Sequence, residues 1–586
     1  MKDVIRHYLH RALSNLVAAG VVHQPLPEVI QVDNTRDNTK GDFSSNVALV
    51  MWKGNSQAQG GARSLAMKLV EQMSSDMDCL TSPIFSKIEV AGPGFINFFE
   101  DSGHLSHDLD ALLKNPNLGV GKTTAVQTVV VDLASPGLAK GMDVGQLRSA
   151  IIGDSVANVL TALGDTVIRQ NHVGDWGMQF AVLLTYLQEN PNEDEQQTDL
   201  ADVYRKVKVM CDDSDDFSAR AQAILVKLQA GDPSCLEHWA RLRDMSLSQC
   251  QAVYDLLSLN LTPADVRGAS AYNEDLSAIV ADLTSSGHLI KSDGAQCVFL
   301  SKFPFDPNTI ILIIEKSGGG YPYATVDLAA LRYRSQILKA DRVLYYVDER
   351  QALHFQGVFT LARQAGFVSE NIQLEHLGFG TLNGCDGKAF TTRTGPTIKM
   401  LALLVEAQER AYQLVKANHP ALAEPELREM ARVVGIGTVK YAELARHRTG
   451  EYRFNKEMWF RYEGNNALYL LNACAKAVAL LPKYEASIEA VEGTMTLKTP
   501  LERRLGSKLG QFNEVLNTVG SKGTPHLLCT YLYEVASLFT TFCEVYLIDS
   551  ANDRDMRTTR LRLTALTART LQRGLNLLGL EPLEHL

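Results

Sequence analysis

The chain has 586 residues, of which 45% are hydrophobic and 21% are charged, and its formal net charge at pH 7 is −10. This length favours three or more domains, and the composition is typical of a globular protein and excludes a low-complexity chain. The negative charge excludes a protein that coats nucleic acid over its whole surface, so any contact with nucleic acid must be regional.

The sequence carries no membrane or secretion signal. No run approaches the roughly 18 to 20 apolar residues that span a bilayer, and the start, MKDVIRHYLHRALSNLV, has the pattern of an amphipathic helix rather than of a signal peptide. The nine cysteines form no C-x-x-C pair and no Cys/His cluster at metal spacing, so they predict buried, reduced thiols and no metal ligands. We therefore expect a cytoplasmic protein without a membrane partner.

Residues 1–115 mix helical patterns with short extended runs, which predicts an α+β domain. In FSKIEVAGPGFINFF, alternating hydrophobicity on either side of Gly-Pro-Gly indicates two strands around a turn. The following segment, KNPNLGVGKTT (114–124), predicts a linker. Its GVGKTT resembles a phosphate-binding loop, but Pro116 stands at the first glycine position and the motif precedes a strand, so we reject that interpretation.

From about residue 125 onward, apolar runs of strand length alternate with helical patterns. The runs are VQTVVVDL, DTVIRQNHV, TIILIIEK and DRVLYYVDE. This alternation predicts parallel strands joined by helices, and hence an α/β nucleotide-binding core. After about residue 455 only helical patterns remain, including a helix opening at Thr524-Pro525 and a last helix from about Thr558 to Leu578, ended by Gly579.

A candidate nucleotide site follows the first of these strands. The stretch VVVDLASPGLAKGMDVGQLRSAIIGD runs from a strand that ends at Asp132, through a Ser-Pro-Gly turn, to a helix that begins near Val144. Ligands collect at the carboxyl ends of parallel strands, and helix N-termini bind anions. Gly145 would let a base or ribose approach the backbone closely. On spacing alone, an ordinary strand-to-helix turn remains an equal alternative.

Three further segments carry polar side chains in suggestive positions. RQNHVGDWGMQF clusters His, Asp and Trp around two glycines at the end of a strand. GGGYPYATVDLAALRYR spaces Tyr323 and Asp327 one helical turn apart, so both can face one pocket. GCDGKAFTTRTGPTIKM is a loop rich in Lys, Thr, Arg and Gly ahead of a helix. Each segment by itself is more often structural than functional.

Together these segments resemble bacterial arginyl-tRNA synthetases, a family of class I aminoacyl-tRNA synthetases, nearly from end to end. KGDFSSNVAL is similar to the family's N-terminal domain, SPGLAKGMDVGQLRS to its HIGH-type signature, GKAFTTRTG to its KMSKS-type loop, and EYRFNKEMWFRYEGNNALYL to the entry into its anticodon-binding domain. The resemblance implies a multidomain α/β protein. A Rossmann-type class I catalytic core at 116–455 would stand between an N-terminal α+β tRNA-binding domain at 1–115 and a C-terminal all-α anticodon-binding bundle at 456–586.

The resemblance implies an arginine–tRNA ligase that activates arginine with ATP and Mg²⁺ to arginyl-adenylate and transfers it to the 3′ end of tRNA(Arg). It implies a monomer without a resident metal site. A planar guanidinium is best distinguished from an ammonium by bidentate acceptors, as Asp327 beside a tyrosine would provide. The implied residues are Asp132, His172, Tyr323, Asp327 and Gln351 for arginine, Lys140, Asp143, Gly145 and Gln146 for ATP, and Lys140, Gln146, Lys388 and Arg393 for catalysis.

The catalytic signatures depart from the family pattern. The family usually has His-Val-Gly-His where this chain has Asp143-Val144-Gly145-Gln146, asparagine where it has Gly137, and often Phe-Lys-Thr-Arg where it has Phe390-Thr391-Thr392-Arg393. Losing one donor to the charge that develops on the phosphates costs about 3 to 4 kcal/mol, or about 10² to 10³ in rate. Gln146 keeps an amide donor, whereas Asp143 adds a negative charge.

These departures leave two alternatives open. One is a diverged paralogue that binds arginine or tRNA without efficient charging, as a regulatory or binding protein. The other is an enzyme that activates arginine for a non-translational acceptor.

The C-terminal helix offers a candidate RNA-binding face. Arg557 and Arg560, and Arg569 and Arg573, stand at helical spacing and predict a basic stripe that contacts the RNA backbone, with a solvated helix face as the alternative. Unstacked anticodon bases could stack on Tyr531, Tyr533 or Phe539. Core packing is the preferred interpretation for most of these aromatic residues.

Overall fold

The computed structural model describes residues 1–23, 25–35, 40–53, 61–77, 83–121, 123, 125–140, 142, 144–190, 200–300, 309–383, 400–450, 452–453, 464–484, 491–546 and 553–583. The chain divides into two compact units. The first unit comprises residues 1–116, 484–510 and 541–566, and the second comprises 117–483, 511–540 and 567–586. No helix among the described residues combines the length and the apolar character needed to cross a bilayer.

The N-terminal part of the first unit has the predicted α+β architecture. An amphipathic first helix, as expected, buries Leu9 and Leu13 in a core that also contains Ile96 and Phe98 of the sheet. The elements are α1 Lys2–Ala18, β1 Asp33–Asn34, β2 Phe43–Ser45, α2 Val47–Lys53, α3 Gly61–Met77, β3 Phe85–Ala91, β4 Phe95–Glu100 and α4 Ser102–Lys114.

The predicted hairpin around Gly-Pro-Gly is confirmed. Strands β3 and β4 pair antiparallel in a four-stranded sheet of order β1-β2-β4-β3. Gly94 has φ +142°, and a Cβ there would lie 2.9 Å from the backbone of Ala62, so both the backbone conformation and the close helix contact require glycine. This turn fixes where β3 ends and β4 begins.

The second unit contains the α/β core. Its elements begin with β5 Thr128–Asp132, α5 Leu147–Leu163, β6 Thr166–Gln170, α6 Met178–Glu189, α7 Leu200–Asp213, α8 Asp215–Gln229, α9 Pro233–Leu256, α10 Asn273–Ser285, β7 Ile290–Ser292, β8 Ala295–Leu300, β9 Ile310–Glu315, α11 Tyr323–Gln336, β10 Arg342–Tyr345, α12 Ala352–Gln364 and β11 Gln373–His376. Strands β11, β10, β5 and β6 form a parallel sheet in that order. The predicted parallel α/β core is thereby confirmed.

One predicted member of the parallel sheet is wrong. TIILIIEK forms β9, which pairs antiparallel with β8 in a separate three-stranded sheet of order β7-β8-β9. Its burial alternates, with Leu312 and Ile314 buried and Ile311 and Ile313 exposed, as one side of an antiparallel sheet requires. The fourth strand of the parallel sheet is β11, which the hydrophobicity pattern does not predict. It lies at the edge of the sheet, and its sequence, QLEH, contains no apolar run.

The remaining elements are almost all helical, as predicted. They are β12 Leu382–Asn383, α13 Met400–Asn418, α14 Glu424–Leu444, β13 Tyr452–Arg453, α15 Ala467–Leu480, α16 Pro500–Leu509, α17 Phe512–Lys522, α18 His526–Val545 and α19 Arg554–Leu577. Helix α19 starts before the predicted Thr558, and Gly579 follows its end with φ +72°. The seven described cysteines are free thiols, as predicted.

The predicted arginine stripe on α19 is wrong as a continuous surface. Arg560 is buried with its Nε 3.5 Å from Glu502, while Arg569 and Arg573 are half-buried and Arg557 is exposed. A guanidinium that is buried against a carboxylate is not available to contact RNA. Tyr531 and Phe539 are buried, so the core-packing interpretation is confirmed for both.

Candidate active site

A pocket of about 510 Å³ opens at the carboxyl end of the parallel sheet. Asp132 of β5 and Tyr345 of β10 are register partners at the ends of adjacent strands, and both line the pocket. The loop after β6, the first turn of α11 and the start of α12 complete the wall. All five residues that the resemblance implies for arginine line this single cavity: Asp132, His172, Tyr323, Asp327 and Gln351.

The turn after β5 has a strained backbone. Ala134 and Ser135 have φ of 64° and 46°, a left-handed conformation that costs non-glycine residues about 1 to 3 kcal/mol each. Three contacts hold it: Ser135 N donates to Asn171 Oδ1 (3.0 Å), Ser135 Oγ donates to Asp132 Oδ1 (2.7 Å), and His172 N donates to Ser135 Oγ (3.0 Å). The turn therefore fixes Asp132 relative to His172.

Asp132 is already paired inside the protein. The fully buried Arg334 donates from Nη2 to Asp132 Oδ2 at 2.6 Å and from Nε to Gln170 Oε1, and its guanidinium lies over the ring of Tyr345. Burial lowers the pKa of Arg334, but Tyr345 and Asp132 raise it by more, so the group stays charged. The charge of Asp132 is therefore neutralised from within the pocket wall.

Asp327 carries the less compensated negative charge of the pocket. Its side chain is 17% exposed, and Oδ2 lies 2.7 Å from Nε2 of His354. Tyr323, one turn earlier on α11, is 66% exposed, and its hydroxyl accepts from Gln179 Nε2 at 2.8 Å. His354 was missed in the sequence, although it follows Gln351 at helical spacing in DERQALHF.

Several buried polar atoms in this wall have no hydrogen-bond partner among the described residues. They are His172 Nδ1, Trp176 Nε1, Gln179 Oε1 and Tyr345 Oη. Native proteins leave few buried polar atoms unpaired, so a group of them around one cavity indicates a site for a polar ligand. Burial lowers the pKa of His172 despite the nearby carboxylate of Asp132, which makes its ring neutral at pH 7.

Comparison with known protein families settles the relationship. Residues 108–456 match the catalytic domain of class I tRNA synthetases (R), residues 470–586 match the DALR anticodon binding domain, and residues 3–99 match the arginyl tRNA synthetase N terminal domain. The chain belongs to the arginyl-tRNA synthetase family. This membership confirms the resemblance and the fold class, a class I synthetase core with an N-terminal domain and a helical C-terminal domain.

Individual arginyl-tRNA synthetases match over the whole chain. The arginine–tRNA ligases of Pseudomonas syringae pv. tomato and Pseudomonas fluorescens are each 53% identical over 587 residues, covering 100% of both chains. The crystal structure of the arginyl-tRNA synthetase from Plasmodium falciparum is 25% identical with a TM-score of 0.83, covering 100% of this chain and 99% of that one. The Thermus thermophilus arginyl-tRNA synthetase, 20% identical with a TM-score of 0.80 and 100% coverage of both chains, has the same fold.

The signature turn of this arginyl-tRNA synthetase family member lies at the start of α5. Val144–Gln146 form a 3₁₀ turn, and Gln146 is the N-cap residue of α5. Lys140 ends a preceding 3₁₀ turn, half-buried, with Nζ 6.0 Å from the ring centroid of Tyr204. Neither Lys140, Gly145 nor Gln146 lines the pocket described above. Asp143, Lys388 and Arg393 lie outside the described residues.

Proposed function

We propose that the protein is an arginine–tRNA ligase, which joins arginine to tRNA(Arg) at the expense of ATP. Family membership over the full length of the chain supports the ligase activity. One observation supports a particular site for this activity. Five residues line a single cavity at the carboxyl end of the parallel sheet: Asp132, His172, Tyr323, Asp327 and Gln351.

In this proposal, Asp327 binds the guanidinium of arginine. It is largely shielded from solvent, so its charge acts in a lower dielectric than at the surface. His354 holds one carboxylate oxygen and thereby fixes the plane of the carboxylate, which a bidentate guanidinium contact requires. Tyr323 and Gln351 lie at the same wall and contribute polar groups to the substrate.

Asp132 and His172 bind the amino-acid end of the substrate in this proposal. Each oxygen of Asp132 already accepts one protein hydrogen bond, and a carboxylate oxygen can accept a second, here from the α-ammonium group. The neutral ring of His172 has an unpaired Nδ1 within the same cavity. The Arg334 pair fixes the orientation of Asp132, so Asp132 contributes directed hydrogen bonds more than net charge.

We assign the phosphates of ATP to the start of α5. The N-terminus of a helix presents free backbone N–H groups to an anion, and Gln146 adds an amide and Lys140 an ammonium. Lys388 and Arg393 complete this set by resemblance. Mg²⁺ prefers oxygen ligands and usually binds through substrate phosphates. The described residues of the turn offer N–H, amide and ammonium groups and no carboxylate, so Mg²⁺ would be held through ATP.

The reaction assigned to this site has two steps. The carboxylate of arginine attacks the α-phosphate of ATP, which forms arginyl-adenylate and releases pyrophosphate. A hydroxyl of the terminal adenosine of tRNA(Arg) then attacks the adenylate carbonyl, which forms arginyl-tRNA and releases AMP. The pocket holds arginine in place for both steps, while donors at the start of α5 stabilise the charge that develops on the phosphates.

The altered signature supports a second candidate function. With Asp143 and Gln146 in place of two histidines, a paralogue that binds arginine without efficient charging fits the same pocket. Exchange of labelled pyrophosphate into ATP, with arginine and tRNA(Arg) present, separates the two. The ligase predicts exchange that depends on arginine. Calorimetric arginine binding without exchange above background would support the binding protein, and exchange without arginyl-tRNA formation would support a non-translational acceptor.

We assign tRNA binding to the N-terminal domain at 1–115 and the helical domain at 456–586. The family matches to an N-terminal domain and to an anticodon binding domain in these regions support this assignment. We further propose that the protein acts as a monomer in the cytoplasm. Sedimentation with and without tRNA(Arg) tests the stoichiometry: one protein chain per tRNA is expected.

A further inference from the structure

Three side chains with metal-binding chemistry meet in the first unit, where β4 passes into α4. Glu100 is the last residue of β4, and His104 and Asp108 lie on the first turns of α4, each four residues after the one before. Side chains four residues apart on a helix lie on the same face. The neighbouring face of α4 buries Leu105, Leu109 and Leu113 and so fixes the helix in place.

The distances among these side chains suit a shared cation. Nδ1 of His104 lies 3.8 Å from Oε1 of Glu100 and 3.6 Å from Oδ2 of Asp108, and the three ligand atoms lie within 4.8 Å of one another. These separations are too long for N–H···O hydrogen bonds. Ligand atoms about 2.1 Å from a tetrahedral zinc ion lie about 3.4 Å from one another. Small side-chain rotations would therefore bring the three ligand atoms to coordination distance of one ion.

The burial of the cluster is the second observation. The side chain of Glu100 is only 5% exposed, and its carboxylate accepts no hydrogen bond within the described part of the chain. Nδ1 of His104 is likewise buried without a hydrogen-bond partner there. A buried carboxylate beside an unpaired imidazole nitrogen is costly unless a cation completes the set.

The arginine beside the cluster, Arg503, does not fill this position. Arg503 directs its guanidinium to Ser102 Oγ, to Asp42 Oδ2 and to the backbone oxygen of Glu100 rather than to the Glu100 carboxylate. The terminal ammonium of Met1 attracts Glu100 electrostatically and is a rival partner for its carboxylate. Because Arg503 pairs with Asp42, the cluster itself offers two carboxyl groups and one imidazole as ligands for a divalent ion.

We propose that Glu100, His104 and Asp108 bind a divalent metal ion of the zinc type, with water in the fourth position. Zinc accepts mixed imidazole and carboxylate ligands in tetrahedral geometry, whereas Mg²⁺ and Ca²⁺ prefer oxygen ligands only. The ion ties the end of β4 to the first turns of α4 and stabilises the N-terminal domain. Cysteine and histidine spacing predicts no metal ligands here, because this set contains no cysteine and spans a strand end and a helix.

Zinc titration of the metal-free full-length protein by calorimetry tests the proposal, with Mn²⁺ and Mg²⁺ in parallel. We expect saturable Zn²⁺ binding with one site lost in Glu100→Gln and His104→Ala, and a tetrahedral Co²⁺ absorption spectrum that the same variants lose. Loss of one ligand should weaken binding by about 10-fold or more. The matched control is His107→Ala, which removes an exposed histidine of the same helix and should bind as the wild type does.

Asp108→Asn keeps the experiment informative if a buried substitution impairs folding, because that side chain is 49% exposed. Equal Zn²⁺ affinity in wild type, Asp108→Asn and His104→Ala would overturn the proposal and leave the Met1 ammonium as the partner of Glu100. Zinc binding that His107→Ala weakens as much as His104→Ala would also overturn it, since the binding would then be surface coordination.

Discussion

Arg334 and Asp132, separated by 202 positions in the sequence, form a 2.6 Å hydrogen-bonded ion pair in the wall of the candidate arginine pocket. The carboxylate of Asp132, at the end of β5, is thus already paired with a guanidinium of the protein itself, that of Arg334. In the proposed function, the guanidinium of the substrate therefore binds Asp327, which lines the same cavity from α11.

Arg334→Met should destabilise the protein by about 3 to 5 kcal/mol, because it leaves a buried carboxylate without its partner. Urea unfolding followed by tryptophan fluorescence measures the change. The double variant Arg334→Met/Asp132→Asn should recover part of the loss, since the unpaired charge is then gone. Arg410→Met, which removes a surface ion pair, serves as the control at under about 1 kcal/mol. A loss in Arg334→Met no larger than this control contradicts the structural role of the pair.

His354→Phe should raise the KM for arginine roughly 10-fold and lower kcat less, because the ring no longer holds the carboxylate of Asp327 in one orientation. His354→Gln, which retains an N–H donor, should recover most of the affinity. Asp327→Asn should have the largest effect of these variants and weaken arginine binding about 10- to 100-fold, since it removes a charge-assisted hydrogen bond. A fall in kcat at unchanged KM would assign His354 a different role.

His172 should make stability depend on pH. Burial holds the folded-state pKa below the unfolded value of about 6.5, so the unfolded chain takes up the proton first as the pH falls. The stability present above about pH 6.5 is therefore lost below it, by at most about 1.4 kcal/mol per pH unit for this one group. Urea unfolding at pH 7.5 and 5.5 should give a smaller loss for His172→Gln than for the wild type. Parallel losses would show that His172 is not the responsible group.

Restoring the family signature should raise activity. Gln146→His and Asp143→His return donors that stabilise phosphate charge, each worth at most about 10² to 10³ in pyrophosphate exchange. Gly137→Asn should fold normally, because a Cβ at position 137 would lie 3.4 Å from Gln179 Oε1, an ordinary contact distance. A flat response to both histidine substitutions, with arginine binding intact, would show that the signature does not limit the rate.

The sequence determined the family, the order of the domains and most local structure. Long segments in family order carry enough information for that, and hydrophobic periodicity together with Gly-Pro-Gly specified the β3–β4 hairpin. Tyr323 and Asp327 could be assigned to one face because they lie in one helix, where spacing alone fixes direction. Local pattern failed for TIILIIEK, since an apolar run does not say which sheet the strand joins.

Only the tertiary structure decided which charges meet. No sequence pattern singles out Arg334, and helical spacing predicts Arg560 to be part of a surface stripe, yet both are buried against carboxylates far away in the sequence. The same holds for Glu100 and His104, which the turn between β4 and α4 brings together. Burial and pairing depend on which elements pack against each other, and a linear pattern does not contain those long-range contacts.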